Sequence, residues 1–179
     1  TFTYSAAGVE GLTITNVNGY IHVTRASDDS ITVNITRRCR GVDHEDSETH
    51  LDSIAVDQNL SGDRLSMEVS IPLDITRQYF TDFDIELPDT VEMLLTAENG
   101  DISIGSHARS ILAMITNGNI RVDMVELPPG SSVDLSCTSG DIALKLPSDV
   151  STEFSAFTTN GLITISGFPN IQYMTDEEK

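Results

Sequence analysis

The chain has 179 residues and a formal net charge of −18, from ten Lys and Arg residues against 28 Asp and Glu residues. This charge repels phosphate backbones and anionic lipid surfaces, so it argues against nucleic-acid binding and against direct adsorption to a membrane. No apolar run approaches the ~20 residues that span a bilayer, so we expect no membrane insertion. The acidity fits a solubilising surface, which we favour, or adaptation to high salt.

The first half of the chain predicts irregular strands. The turn signature Val-Asn-Gly-Tyr-Ile-His-Val occupies residues 17–23, and residues 31–88 follow with less regular alternation. Three segments alternate apolar and polar residues, which is typical of half-buried strands. They are Ile31-Val33-Ile35, Leu65-Met67-Val69-Ile71 and Phe83-Ile85-Leu87. Residues 54–56 predict another strand, residues 61–63 a turn, and the acidic segment 41–52 a flexible loop or one helical turn.

The second half repeats the turn signature at fixed positions. Successive copies are centred on Gly100, Gly118, Gly140 and Gly161, at intervals of 18, 22 and 21 residues. In every copy the residue two positions after the glycine is Ile, and the alternate positions on both sides are mostly apolar. Each unit therefore predicts a strand, a turn and a second strand with one face buried. We expect one domain over 1–179, with irregular strands in 1–90, regular repeats in 91–168 and a frayed tail at 175–179.

Two all-β architectures are compatible with this repeat. Asn-Gly between alternating apolar residues is a strong signal for a two-residue hairpin, which would give an antiparallel β-sandwich. Alternatively, each unit is one coil of a parallel β-helix with Asn-Gly at a corner, and identical residues stack ~4.8 Å apart. We favour the parallel β-helix, because a hairpin meander gives no reason to keep the same residue at equivalent positions. Ile102, Ile120, Ile142 and Ile163 would then form an aliphatic ladder.

The chain resembles the putative-adhesin family of domains of unknown function, found in bacteria and archaea. The resemblance rests on the runs at 83–91 and 96–102, on the repeated Asn-Gly-x-Ile units, and on residues 16–21 followed by 29–33. It covers roughly residues 11–165. The chain departs from the repeat at Ser139, which replaces Asn, and at Tyr20 and Leu162 after the glycine, which weakens the idea of an Asn-Gly-Asp ligand site.

The resemblance implies a right-handed, single-stranded parallel β-helix that is exported or displayed at the cell surface. It implies no catalytic residues, and some relatives are associated with cell-envelope stress. We therefore expect a non-enzymatic, adhesin-like binding or scaffold module whose partner is another protein or a surface glycan. Because the chain begins at Thr1, we expect any leader or anchor to lie outside this segment.

Two groups of residues are candidate metal ligands. Asp101, Asn119 and Asp141 follow equivalent glycines, so stacked coils would align their oxygens, which could bind calcium. We favour a structural role in which these side chains accept hydrogen bonds from corner amides. His44 and His50 lie among several carboxylates in the acidic segment, and we favour a solvated loop there over a metal site. No other cofactor is expected.

The alternative functions are an enzyme and a structural polymer. Polysaccharide-processing β-helix enzymes need convergent carboxylates and a basic residue, but only Arg109, Arg121 and Lys145 are basic within the repeats. His22 and His107 are isolated in sequence and are expected at the surface. A self-assembling protein would associate end to end through its terminal coils. Neither alternative is favoured.

Two cysteines and four aromatic residues complete the candidates. Cys137 falls on an inward-facing repeat position, so a buried free thiol is favoured over a disulfide with Cys39. Tyr79, Phe80, Phe83 and Tyr173 could form an aromatic binding surface, but we favour a role in closing the ends of the stack.

Overall fold

The computed structural model describes residues 1–74, 76–148 and 154–167, which are almost entirely strands and connecting turns. The strands in chain order are β1 (Phe2–Ser5), β2 (Gly11–Asn18), β3 (Ile21–Arg25), β4 (Ser30–Arg40), β5 (Ala55–Ser61), β6 (Arg64–Ser70), β7 (Gln78–Leu87), β8 (Glu92–Asn99), β9 (Ile102–His107), β10 (Ile111–Asn117), β11 (Ile120–Met124), β12 (Val133–Ser139), β13 (Ile142–Lys145), β14 (Phe154–Asn160) and β15 (Ile163–Ser166). Helix α1 (His44–Thr49) and a 3-10 turn (Leu51–Ser53) lie between β4 and β5.

The strands form two mixed sheets. One has the order β1-β4-β7-β3-β9-β11-β13-β15, and the other has the order β14-β12-β10-β8-β2-β6-β5. The strands before and after each Asn-Gly lie in different sheets, for example β8 in the second sheet and β9 in the first. The Asn-Gly turns therefore do not form the two-residue hairpins that the sandwich alternative required.

Parallel pairs place equivalent repeat residues side by side. Ile21 pairs with Ile102, and Ile102, Ile120, Ile142 and Ile163 continue the row across the first sheet. Met93, Ile111, Val133 and Phe154 form a corresponding row in the second sheet. Ile120 and Ile142 are fully buried. The parallel strands therefore pair in the register that the alignment of the repeat glycines predicts. The predicted row of isoleucines is present.

The antiparallel pairs lie at one end of the molecule. β1 pairs with β4 and β4 with β7 in the first sheet, while β5 pairs with β6 in the second. The β5–β6 connection passes through Gly62 at φ +62°, as the predicted turn required. The Tyr4 hydroxyl of β1 donates to Gln58 of β5, which joins the two sheets at this end. We call this antiparallel region the cap.

One hydrophobic cluster fills the interior between the sheets. It runs from Ala6 to Leu146 and includes residues of both sheets, such as Leu12 of β2 and Ile21 of β3. Phe83 and Tyr79 of β7 are buried in it, whereas Phe80 is half-buried. Cys137 is a buried free thiol, and Cys39 is also unbonded.

The turn glycines are forced by close backbone stacking. Gly100, Gly118 and Gly140 have φ angles of +135°, +139° and +141°, where L side chains are strained. A Cβ on Gly118 would also overlap the carbonyl oxygen of Gly100, and the same overlap relates Gly100 to Gly19. Glycine is therefore required for two reasons, the positive φ of its own turn and the close approach of the neighbouring turn.

Some predictions fall outside the described residues. They concern residue 168, which was predicted to end the repeats, Tyr173, and the expected frayed tail at 175–179.

Replacing Ile142 or Ile120 with Asp should prevent folding. Each substitution places an unpaired carboxylate in the core at a cost of several kcal/mol, against a total stability of about 5–15 kcal/mol. Met114→Asp is the matched control, because Met114 is 39% exposed. Far-UV circular dichroism of soluble protein would check this, and a native spectrum for Ile142→Asp would contradict it.

Replacing Gly118 with Ala should destabilise the fold more than replacing Gly62. Both glycines have positive φ, but a Cβ on Gly62 meets nothing within 4 Å. We expect about 1–2 kcal/mol for Gly62→Ala from backbone strain alone, and a larger loss for Gly118→Ala. Urea denaturation of the two variants measures the difference, and equal losses would show that stacking adds nothing.

Candidate functional site

The turn asparagines bind one another across the stack. Asn99 donates to Asn18 at 2.8 Å, and Asn117 donates to Asn99 at 2.9 Å. Asn18 donates in turn to the backbone oxygen of Tyr79 at 3.0 Å. These amides stabilise the scaffold, since their polar groups are directed at neighbouring turns.

The structure brings the predicted calcium candidates together in a column. The Asp101 Oδ1 accepts the backbone N–H of Asn119 at 2.8 Å, and the Asn119 Oδ1 accepts that of Asp141 at 3.0 Å. Asp141 accepts the backbone N–H of Leu162 at 2.8 Å. Each side chain therefore binds a corner amide of the next turn, which is the favoured structural role. Calcium binding stays a prediction.

The structure gives His44 and His50 different partners. The His44 Nε2 lies 3.3 Å from Glu48, and the His50 Nδ1 lies 3.4 Å from Asp46. Within the described ranges, no group of three or more His, Cys, Asp and Glu side chains is arranged to hold a metal ion. The acidic segment contains the predicted helical turn, as α1.

An arginine fixes α1 against the start of β7. The Arg77 guanidinium contacts Asp46 at 2.6 Å and Asp74 at 2.5 Å. Hydrogen bonds from Arg77 and from the Val42 amide lower the pKa of Asp46. Hydrogen bonds from Thr76, and then from Arg77, lower the pKa of Asp74 to about 2.

Beside α1 lies an open groove of about 540 Å³, which we call the arginine groove. The end of β4, helix α1, the 3-10 turn and Phe80 of β7 form its walls. Its lining residues are Arg37, Arg38, Cys39, Arg40, His44, Ser47, Glu48, Leu51 and Phe80. Three of the ten basic residues of the chain are therefore gathered in one concave surface.

The three arginines differ in how far they are engaged. Arg38 donates from two nitrogens to Asp82 at 2.7 and 3.0 Å and lies over the Phe80 ring at 5.1 Å from its centroid. Arg37 donates to the backbone oxygen of Ile54 at 3.1 Å, and its Nη2 lies 3.9 Å from the Asp52 Oδ1. Arg40 is exposed, and among the described residues its side chain makes no hydrogen bond or ion pair. Arg38 is thus held in place, while Arg40 is free to bind.

Sequence reasoning did not identify this groove. The signal was present, because Arg37, Arg38 and Arg40 cluster within four residues of a strongly acidic chain. Their proximity to Phe80 could not be read from the sequence, since it depends on antiparallel pairing of β4 with β7, which places Arg38 opposite Phe80.

The prediction that His107 lies at the surface is wrong. Its exposed fraction is 1%, and its Nε2 lies 3.1 Å from the Val91 backbone oxygen. Its Nδ1 faces Asp89 Oδ1 at 3.7 Å, and neither atom has a hydrogen-bond partner. Burial lowers the pKa of His107 more than the neighbouring carboxylate raises it. By contrast, His22 is 48% exposed and lies 3.5 Å from Asp84.

Comparison with known proteins identifies a shared fold. No family model matches the chain, and no curated protein matches it. The structure is similar to the crystal structure of a putative cell adhesion protein from Clostridium sporogenes, with a TM-score of 0.61 and 10% sequence identity. The likeness covers 92% of this chain and 96% of that one. At this identity it establishes similarity of fold alone. None of the helices in the described part is long and apolar enough to cross a membrane.

Acid should release α1 from β7. The lowered pKa values of Asp46 and Asp74 mean that their contacts with Arg77 stabilise the protein above about pH 4. This contribution should be lost as the pH falls towards about 2. Amide chemical shifts of residues 43–50 should change over this range.

The Arg77→Gln variant should show the released α1 already at pH 7. The matched control is Lys145→Gln, which removes a contact with Asp123. Native α1 shifts in Arg77→Gln at pH 7 would contradict the assigned anchor.

Mild acid should destabilise the protein through His107. Because burial lowers its pKa in the folded state, the unfolded state binds the proton first, and stability falls as the pH drops below about 6.5. Urea denaturation at pH 7.5 and 5.5 should show a smaller fall for His107→Gln than for wild type. His22→Gln should behave as wild type, and equal falls in all three proteins would refute this role.

Proposed function

We propose that the chain is a non-enzymatic, exported, adhesin-like binding module built on a right-handed parallel β-helix. The observation that carries this proposal is the arginine groove, which gathers three cations on a chain of net charge −18. A localised patch of opposite charge gives a binding surface its orientation and specificity. The cap, rather than the repeats, supplies the contact residues.

Three features support the β-helix assignment. Equivalent strands pair in parallel and in register, for example β11 with both β9 and β13. Each turn glycine leads from one sheet to the other, and the rows of apolar residues from both sheets join one core.

The environment of the basic residues supports a non-enzymatic role. His107 is buried beneath the surface, and the exposed side chain of Lys145 binds Asp123 at 2.8 Å. One carboxylate oxygen of Asp101 and one of Asp141 each accept a backbone amide, so both side chains are held by the neighbouring turn. These arrangements suit a rigid scaffold better than proton transfer at a substrate.

We place the module at the cell surface, where its partner would be another protein or a surface glycan. The name of the similar structure and the predicted family resemblance support this location. The proposed link with cell-envelope stress rests on the family resemblance.

Two measurements test the proposal. A membrane-impermeant biotin reagent should label the protein on intact source cells, without lysis. Purified protein should bind saturably to at least one member of an array of surface glycans and purified surface proteins at 0.15 M salt. Labelling only after lysis, or a lack of saturable binding across the array, would refute the proposal.

A matched pair of variants locates the contact surface. Arg37→Gln combined with Arg40→Gln should weaken array binding at least tenfold, because hydrogen bonds to charged groups are lost. Arg64→Gln combined with Arg121→Gln removes the same charge from exposed positions outside the groove and should leave binding unchanged. Equal weakening by both pairs would indicate a general charge effect.

A further inference from the structure

We propose that the arginine groove binds a carboxylated sugar at the end of an otherwise neutral glycan. This inference rests on the proposed binding function and assigns its ligand class. It follows from the free donors of the groove, the charge that surrounds them, and the acceptors and apolar groups that line the same surface.

The arginines are arranged to receive a carboxylate. Arg40 has no partner among the described residues, whereas Arg37 donates to a backbone oxygen and lies 3.9 Å from the exposed carboxylate of Asp52, which a ligand carboxylate would have to displace. Arg38 is fixed by two hydrogen bonds to the buried Asp82, so it contributes positive charge without needing to be ordered on binding. The planar guanidinium matches the two oxygens of a carboxylate, which favours paired hydrogen bonds.

The surrounding charge favours a ligand with a single anionic group. Asp43, Glu45, Asp46 and Asp52 lie in the segment that forms one side of the groove, and the whole chain carries −18. Charges interact over about 8 Å at physiological salt. The part of a long polyanion that extends beyond the groove would therefore be repelled by the acidic surface. A ligand with one carboxylate on an otherwise neutral glycan would not be repelled in this way.

The remaining lining residues favour a sugar. Glu48 carries hydrogen-bond acceptors in the same groove, and one of its oxygens lies 3.3 Å from the His44 Nε2. A carboxylate acceptor beside the arginines favours a ligand that carries hydroxyl donors as well as an anionic group. Leu51 and the half-buried Phe80 provide apolar surface for the C–H groups of a sugar ring. The volume of about 540 Å³ lies in the range of small-ligand sites.

Calorimetric titration tests this ligand class. The probes are a glucuronate-terminated disaccharide, the matching glucose-terminated disaccharide, acetate, inorganic phosphate and a short acidic peptide. We expect the glucuronate probe to bind at least tenfold more tightly than each of the others, because only it offers both a carboxylate and hydroxyls. Its affinity should fall as salt is raised from 0.05 to 0.5 M.

Single variants test the site. Arg40→Gln should weaken binding of the glucuronate probe about tenfold or more, and it should fold normally because Arg40 has no partner to lose. Arg121→Gln is the matched control, since Arg121 is exposed on β11 outside the groove. Glu48→Gln should weaken the probe less than Arg40→Gln, because an amide oxygen still accepts a hydroxyl.

The two cysteines provide an independent readout. Cys39 lines the groove, whereas Cys137 is buried elsewhere in the core. Burial raises the pKa of the Cys39 thiol, so alkylation by iodoacetamide should be slow enough to time. Saturating glucuronate probe should slow alkylation of Cys39 severalfold and leave Cys137 unchanged.

The outcomes separate this inference from the proposed function. Equal binding of glucuronate and phosphate, tighter binding of the acidic peptide, or an unchanged affinity in Arg40→Gln would overturn the sugar assignment. If the wild-type protein is labelled on intact cells and binds another array member, the adhesin-like function stands while this inference fails. Absence of all array binding would overturn both.

Discussion

The close approach of successive turn glycines is the constraint on which the structure depends. The carbonyl oxygen of one glycine occupies the position where a Cβ of the next would lie. A shift in register would bring a residue that has a Cβ to this contact, so the close approach favours one register of adjacent repeats. Slippage by one residue would also move every inward side chain to the outside. With the glycines in register, the isoleucines meet in the core and the asparagines meet at the corner. The ladders follow from this contact.

This constraint also explains how the repeated polar side chains are satisfied. Asn99 and Asn117 share one repeat position and Asp101 and Asn119 share another, so each side chain reaches an equivalent one in the neighbouring repeat. Regular repetition therefore satisfies these groups internally. In the cap the repeat is interrupted and β4 runs antiparallel to β7, so side chains such as Arg40 have no equivalent neighbour.

The sequence predicted the repeats well and the cap poorly, because the repeats follow a local pattern whereas the cap depends on pairing between distant strands. The apolar positions and glycine spacing of residues 91–165 encode a local pattern, and the observed register of Ile102, Ile120 and Ile142 follows it. The position of the arginine groove depends on pairing between strands that are about 40 residues apart in sequence, which alternation does not specify. The burial of His107 was missed because an isolated histidine carries no periodic signal, and its environment comes from Asp89 and Val91 in the connection between β7 and β8.

The position of the cap within the chain has a kinetic consequence. Asn117 and Asn99 are 18 residues apart, but Asn99 and its other ladder partner, Asn18, are 81 residues apart. Closing the longer loop costs about 1.3 kcal/mol more in chain entropy than closing the shorter one. The later repeats can therefore nucleate locally and grow by neighbour addition, whereas β2 docks against β8 only once the longer intervening chain has closed. That intervening chain contains the cap strands β4, β5, β6 and β7, so the ordering of the cap and the docking of β2 are coupled during folding.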